Sequence, residues 1–330
     1  MQLALVARDC CAWPSLTRWP DGTLGLVYFN RPSHGRTVGD IAALTSRDDG
    51  LTWLDAGLAA PHDPETNRMH LASGFDHTGR WLVLSTGFRF AGDECSGIEP
   101  LWCSVAGKPG APWFIHRKIS VATSEPFLIP HGRIAALPDG RLAATFYRSA
   151  GREGPSRAWL AFSRDGVLTW ADAIEIGTGD ANEVALLPRT DSDWLAIART
   201  QRDHHLTLWR SADSGAHWGN PSDLTPSLHH PGDLTDLGDG QILLTFGIRN
   251  RGQAGIGARL SRDGGATWDA PVVLHHFDTA RDCGYPSTVR CADGTLLTAC
   301  YSDASPFHQG YHLLTLRWNM DELRSLKRSE

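Results

Sequence analysis

The chain has 330 residues, 41% of them hydrophobic and 21% charged, with a formal net charge of −6 at pH 7. That length buries one large core or two ordinary ones, and a mildly acidic surface of mixed sign excludes a general nucleic-acid partner. No apolar run approaches the roughly 18 residues of a membrane-spanning helix, so no membrane partner is expected either. Gly (34) and Trp (13) are frequent and Lys is scarce, which suits many short strands joined by tight turns. No Pro/Gly/Ser-rich linker or charge run divides the chain, and residues 1–330 read as one domain.

The first residues, MQLALVARDCC, have a short apolar run and no basic flank, which reads as no signal peptide. Seven cysteines without a C-x-x-C pair fit a reducing cytoplasm. The expectation is a cytoplasmic protein as given, or a secreted or periplasmic one if a leader has been removed.

Two repeats then run along the chain. The first is a box: SRDDGLTW at 46–53, SRDGVLTW at 163–170, SADSGAHW at 211–218 and SRDGGATW at 261–268. Its Asp accepts hydrogen bonds from the main chain of its own turn, its Gly supplies a positive φ, and its Trp covers the turn. AGKPGAPW, ending at Trp113, is a decayed copy. The second repeat is a strand, a D-G or equivalent turn, and another strand. It reads TRWPDGTLGLVYF, GFDHTGRWLVLSTG, IAALPDGRLAATFY, VALLPRTDSDWLAIA, LTDLGDGQILLTF and TVRCADGTLLTACY.

Six such units, each of roughly 45–60 residues, predict an all-β, six-bladed β-propeller. The expected blades are 8–60, 61–120, 121–177, 178–225, 226–277, and 278–318 plus 1–7. The apolar alternation of Gln2 to Ala7 has no hairpin of its own and is expected to close the ring beside Gly310 to Trp318. The tail from Asn319 to Glu330 is expected to hold at most a short helix.

In a propeller, the segments leading into the inner strands converge on one face, where loops on a rigid scaffold carry function. Here they are CAWPSL, NRMHLA, IPHGRI, DANEVA, HHPGDL and DCGYPS, rich in Arg, His, Asp, Glu and Tyr. Such a composition requires a wet or ligand-binding face.

The boxes, the unit count and the segment order resemble the sialidase superfamily of glycoside hydrolases, the bacterial neuraminidase-like proteins with Asp-box repeats, across essentially the whole chain. The resemblance implies a tyrosine nucleophile activated by a glutamate, an aspartate acid/base, and three arginines that clamp the substrate carboxylate. Tyr285 stands at the tyrosine position and Glu183 at the glutamate position. Arg199 matches one clamp arginine, and Arg249 or Arg251 another. Ala12 replaces the first clamp arginine, which leaves Arg68 to reach across. The loop FNRPSHGRTVGD places no aspartate plainly at the acid/base position, where His34 or Asp40 remains available. Trp13, His131 and His230 are expected to line the channel.

The implied activity is exo-hydrolysis of a terminal, acidic sugar, with a carbohydrate as partner and no cofactor. Two other readings stand beside it: a lyase acting on a uronate through His34 and Tyr285, and a non-catalytic carbohydrate-binding propeller. No Cys/His spacing repeats a metal motif, and adjacent histidines on a strand point to opposite faces, so no metal is expected. The sequence leaves the oligomeric state open.

Overall fold

In the boxes, side chains take over hydrogen bonds that the turning backbone cannot make to itself. Ser261 Oγ donates to Asp263 Oδ1 (2.9 Å) and accepts from Gly265 N (2.7 Å), while Asp263 accepts from Thr267 N (2.8 Å) and Thr267 Oγ1 (2.6 Å). Ser46 with Asp48, Ser163 with Asp165, and Ser211 with Asp213 repeat the scheme. Each box also packs on the preceding unit. A Cβ on Gly50 would lie 2.4 Å from Leu297 Cδ2, and one on Gly265 would lie 2.8 Å from Leu195 Cδ1. Glycine is therefore required twice over, for its positive φ and for this contact.

The computed structural model describes residues 1–125, 127–148, 154–177 and 179–326. Four sheets have four strands each. One holds Ser15–Arg18, Leu24–Phe29, Ile41–Ser46 and Leu54–Ala60 in that order. Asn182–Pro188, Trp194–Arg199, Leu206–Ser211 and Ser222–Asp223 form the next, and His229–Gly238, Gln241–Ile248, Gly255–Ser261 and Val272–His276 another. The last contains Cys283–Arg290, Leu296–Ser305 and His308–Trp318, with Gln2–Arg8 added antiparallel to the outermost, Gln2 opposite Arg317 and Arg8 opposite His312. Both ends of the chain thus share one sheet, which removes an edge that an open array would expose.

Of the remaining strands, Phe88–Ala91 and Glu94–Ile98 pair as a two-stranded sheet, and the other nine depart from the expectation of six separate blades, because they form one nine-stranded sheet. Its halves join where His70–Phe75 runs parallel to Ile129–Ala136, with Ala72, Ser73 and Gly74 opposite Gly132, Arg133 and Ile134. The physical reason lies at Gly74, where a Cβ would stand 2.1 Å from the Ile134 carbonyl oxygen. Without a side chain there, the two inner strands approach closely enough to hydrogen-bond.

The architecture is all-β and propeller-like. The innermost strands touch in cyclic order: Ser15–Arg18, His70–Phe75, Ile129–Ala136, Asn182–Pro188, His229–Gly238, Cys283–Arg290, and back to Ser15–Arg18. Apolar side chains fill the wedges between successive units. One cluster joins Leu243 and Leu260 to Leu296 and Trp318, and another joins Leu16 and Phe29 to Leu297 and Leu313. After the last strand, the helix Met320–Leu326 buries Leu323 and is capped by Asn319 Oδ1, which accepts from the Asp321 and Glu322 amides. Thr178, at an expected blade boundary, and the tail from 327 lie outside the described residues. Among the described residues no helix is long and apolar enough to cross a membrane.

Candidate functional site

Four of the inner strands are bulged near their starts. Their register with the second strand shifts between His131 and Ala135, Asn182 and Ala185, His229 and Gly232, and Gly284 and Ser287. A bulge re-aims a side chain out of the regular pleat. Glu183 (φ 47°) and Tyr285 (φ 50°) lie within these bulges, and Trp13 (φ 40°) stands just ahead of the first strand. Positive φ at non-glycine residues is costly and persists only where surrounding structure imposes it. All three residues line one cavity of about 260 Å³, together with His34, His70, His131, Tyr147 and Arg199.

Tyr285 and Glu183 meet inside it: the phenol donates to Glu183 Oε1, and Arg199 Nη1 donates to Oε2 at 2.9 Å. Burial pushes the Glu183 carboxyl up, but Arg199, His131 and the Tyr285 hydroxyl together hold it well below the usual carboxylate range. Burial and the adjacent Glu183 charge push the Tyr285 phenol well above its ordinary value, against the pull of Arg199 and Arg249. In the resting site the proton therefore stays on tyrosine and Glu183 is ionised. The Arg249 guanidinium lies 5.4 Å from the Tyr285 ring centre, while His131 and Trp13 pack edge-on to the ring at 6.1 Å.

Beside them, His34 Nδ1 stands 3.0 Å from Asp282 Oδ2, and its ring packs edge-on to Trp13 at 5.0 Å. An ionised carboxylate only accepts hydrogen bonds, so it keeps the proton on Nδ1 and leaves Nε2 free to exchange one. Burial raises the Asp282 carboxyl, but His34, Arg249 and Tyr301 bring it down to about 2. Tyr301 donates to Asp282 Oδ1 (2.9 Å) and Tyr311 donates to Oδ2 (3.0 Å), which fixes the carboxylate's orientation. Asp282 opens the segment DCGYPS but was not singled out from the sequence; its partners come from residues 34, 249, 301 and 311, so no local signal marks it.

Several expected site residues are placed elsewhere. Asp40 does not line the cavity: its carboxylate accepts from Asn30 Nδ2 (3.1 Å), His62 N (2.9 Å) and His62 Nδ1 (2.6 Å), and these partners hold it in its own loop. Arg68 does not reach across the cavity. Its guanidinium is fully buried, 3.3 Å from the Trp102 ring centre, donating to the Pro100 carbonyl (2.6 Å) and pairing with Glu99 at 3.6 Å. Arg251 is exposed in a turn outside the cavity lining, whereas Arg249 lies half-buried behind Tyr285, donating to Tyr301 Oη at 2.6 Å. His230 is buried against His204 at 5.3 Å, and Pro231 takes its place in the wall. His70 and Tyr147, which do line the wall, were not anticipated.

Cys11 Sγ, His34 Nδ1 and an Asp282 oxygen all lie within 4.8 Å of one another, close enough to ligate a metal ion. Asp282 is also 3.4 Å from the Arg249 guanidinium, and that neighbouring positive charge opposes a cation.

Residues 109–297 match the family described as BNR repeat-like domain, and the chain belongs to that family. Its fold is the propeller-like fold also seen in solved sialidase structures. Among solved structures, it is similar to a protein of unknown function from Dyadobacter fermentans, with TM-score 0.83 and 18% identity over 97% of this chain and 98% of that one. It also resembles the Hadza microbial sialidase Hz136, with TM-score 0.73 and 18% identity, covering 93% of this chain and 65% of that one. A third similar structure is the intramolecular trans-sialidase from Ruminococcus gnavus in complex with oseltamivir carboxylate, with TM-score 0.68 and 15% identity over 96% and 95%. Identities this low speak to the fold alone. No curated protein matches the chain.

Proposed function

We propose that the protein is an exo-acting glycoside hydrolase in which Tyr285 is the nucleophile, Glu183 its base and His34 the acid/base. The observation that carries this reading is the hydrogen bond from the Tyr285 phenol to a carboxylate inside a cavity, with both residues in bulged, positive-φ backbone. As the phenol oxygen attacks the anomeric carbon, its proton passes to Glu183 and the glycosidic bond breaks. His34 protonates the departing oxygen, and Asp282 stabilises the charge on its ring. Water activated by His34 then releases the sugar from tyrosine. Glu183 need not be a strong base at rest, because the negative charge of the forming phenolate is drawn into the new bond. Arg199 positions Glu183, and Arg249 steadies both Tyr285 and Asp282.

A cavity of about 260 Å³ lies at the small end of ligand clefts, which suits one terminal sugar ring better than an internal chain segment. We read the nine-stranded sheet as two blades sharing inner-strand hydrogen bonds, which makes six blades in all. Wild type and Tyr285→Phe, assayed on a panel of aryl glycosides with intact-protein mass spectrometry on rapidly quenched samples, test the proposal. Turnover with a sugar-mass adduct that vanishes in Tyr285→Phe is expected. Equal turnover by both proteins would remove the nucleophile.

A further inference from the structure

The guanidinium and carboxylate charges in the cavity wall cancel. Two guanidinium groups line it, those of Arg133 and Arg199, and two carboxylates, those of Asp233 and Glu183. They are already paired, Arg133 with Asp233 at 2.6 Å and Arg199 with Glu183 at 2.9 Å. Behind the wall, Arg249 faces Asp282 at 3.4 Å. Arg68 is sequestered by Trp102 and Glu99, and position 12 is a buried alanine. Burial lowers His70 to about 4 and also lowers His131, which disfavours a charge on either imidazole.

A carboxylate entering this cavity would shed its water and find every nearby guanidinium already matched by an anion. Losing hydration without gaining net opposite charge is unfavourable. A hydroxyl-bearing ring asks only for dipoles and apolar faces. Trp13 Nε1, His70 Nε2 and Arg199 Nε are buried without a hydrogen-bond partner, and all three residues line the cavity. Met69, Phe88 and Pro286 supply apolar surface beside them, a mixture suited to a sugar's C–H faces and hydroxyls.

Resting on the glycosidase reading above, we infer that the cavity is built for an uncharged sugar and discriminates against the acidic sugars that the family resemblance implies. The pairing of each arginine, not the arginine count, sets this preference.

Isothermal titration calorimetry at pH 7.5 tests it, using methyl glycosides in matched pairs: glucoside and glucuronide, galactoside and galacturonide, and N-acetylneuraminide with its methyl ester. The uncharged member of at least one pair is expected to bind about tenfold tighter or more, a difference of about 1.4 kcal/mol. Glu183→Gln, which releases Arg199 from its carboxylate, and separately Asp282→Asn, which releases Arg249, are each expected to shift that ratio about tenfold toward the carboxylate. Two variants are used so that a folding defect in either leaves the other decisive. Tighter binding of the charged members by wild type overturns the preference while leaving the glycosidase reading intact. An unchanged ratio in both variants overturns the charge-pairing basis, and no binding of any sugar overturns both readings.

Discussion

Replacing Arg199 by leucine removes the cation from a carboxylate that is 7% exposed and takes its second hydrogen bond from Tyr285. Removing one partner of a buried ion pair typically costs about 3–5 kcal/mol, because the remaining charge is left desolvated. With roughly 2.1 cal/mol/K of unfolding entropy per residue, 330 residues give about 0.7 kcal/mol/K, so a loss of 4 kcal/mol lowers Tm by about 6 °C. The pH dependence supplies the sharper check. In wild type the folded carboxyl lies below its unfolded value, so the pair's contribution is present above the ordinary carboxylate range and fades as pH falls through the folded value. In Arg199→Leu the largest influence left is burial, which raises the carboxyl. Its penalty therefore grows as pH rises through the unfolded value, and is relieved in acid. Thermal melts of both proteins at pH 7.5 and pH 4.5 should show a Tm gap that at least halves in acid. A gap that is small at pH 7.5, or equal at both pH values, would refute the reasoning.

The acid/base assignment predicts that His34→Ala and Asp282→Asn lose most activity on glycosides with poor leaving groups and little on those with acidic phenols; uniform loss across a leaving-group series would argue against it. Ser261→Ala removes the acceptor for Gly265 N and should lower stability by about 1–2 kcal/mol in urea melts, with sugar binding unchanged, since the box lies away from the cavity. Gly74→Val forces a side chain against the Ile134 carbonyl oxygen and should cost about 3 kcal/mol or prevent folding; a wild-type melt would show that the two halves of the nine-stranded sheet tolerate separation.

The units were legible because their signals are local. A box from Ser to Trp completes its hydrogen bonds within eight residues, and Asp263, Gly265 and Thr267 need no distant partner. The apolar strand Gln2 to Ala7 could be assigned to the last sheet because it had no hairpin of its own. The site was legible only where a residue's role follows from its place at the start of an inner strand. Tyr285, Glu183, Trp13 and His131 stand at such starts, Arg199 and His34 were reached only through the family resemblance, and all six line one cavity. The expectation failed for Arg68, which occupies such a segment yet lies under Trp102, and for Asp40, which answers to His62 in its own neighbourhood.

What the sequence by itself determined is the repeat: short-range turn chemistry and strand periodicity specify each sheet, whatever its neighbours. Only the tertiary structure decided which charges pair. Tyr285 lies 102 residues from Glu183, and Asp282 lies 248 residues from His34. The tertiary fold brings these groups within hydrogen-bonding distance, and their pairing sets both where protons reside and what net charge the cavity offers. That depends on side-chain positions in three dimensions, because electrostatic interaction falls with distance and rises as water is excluded, neither of which is written in residue order.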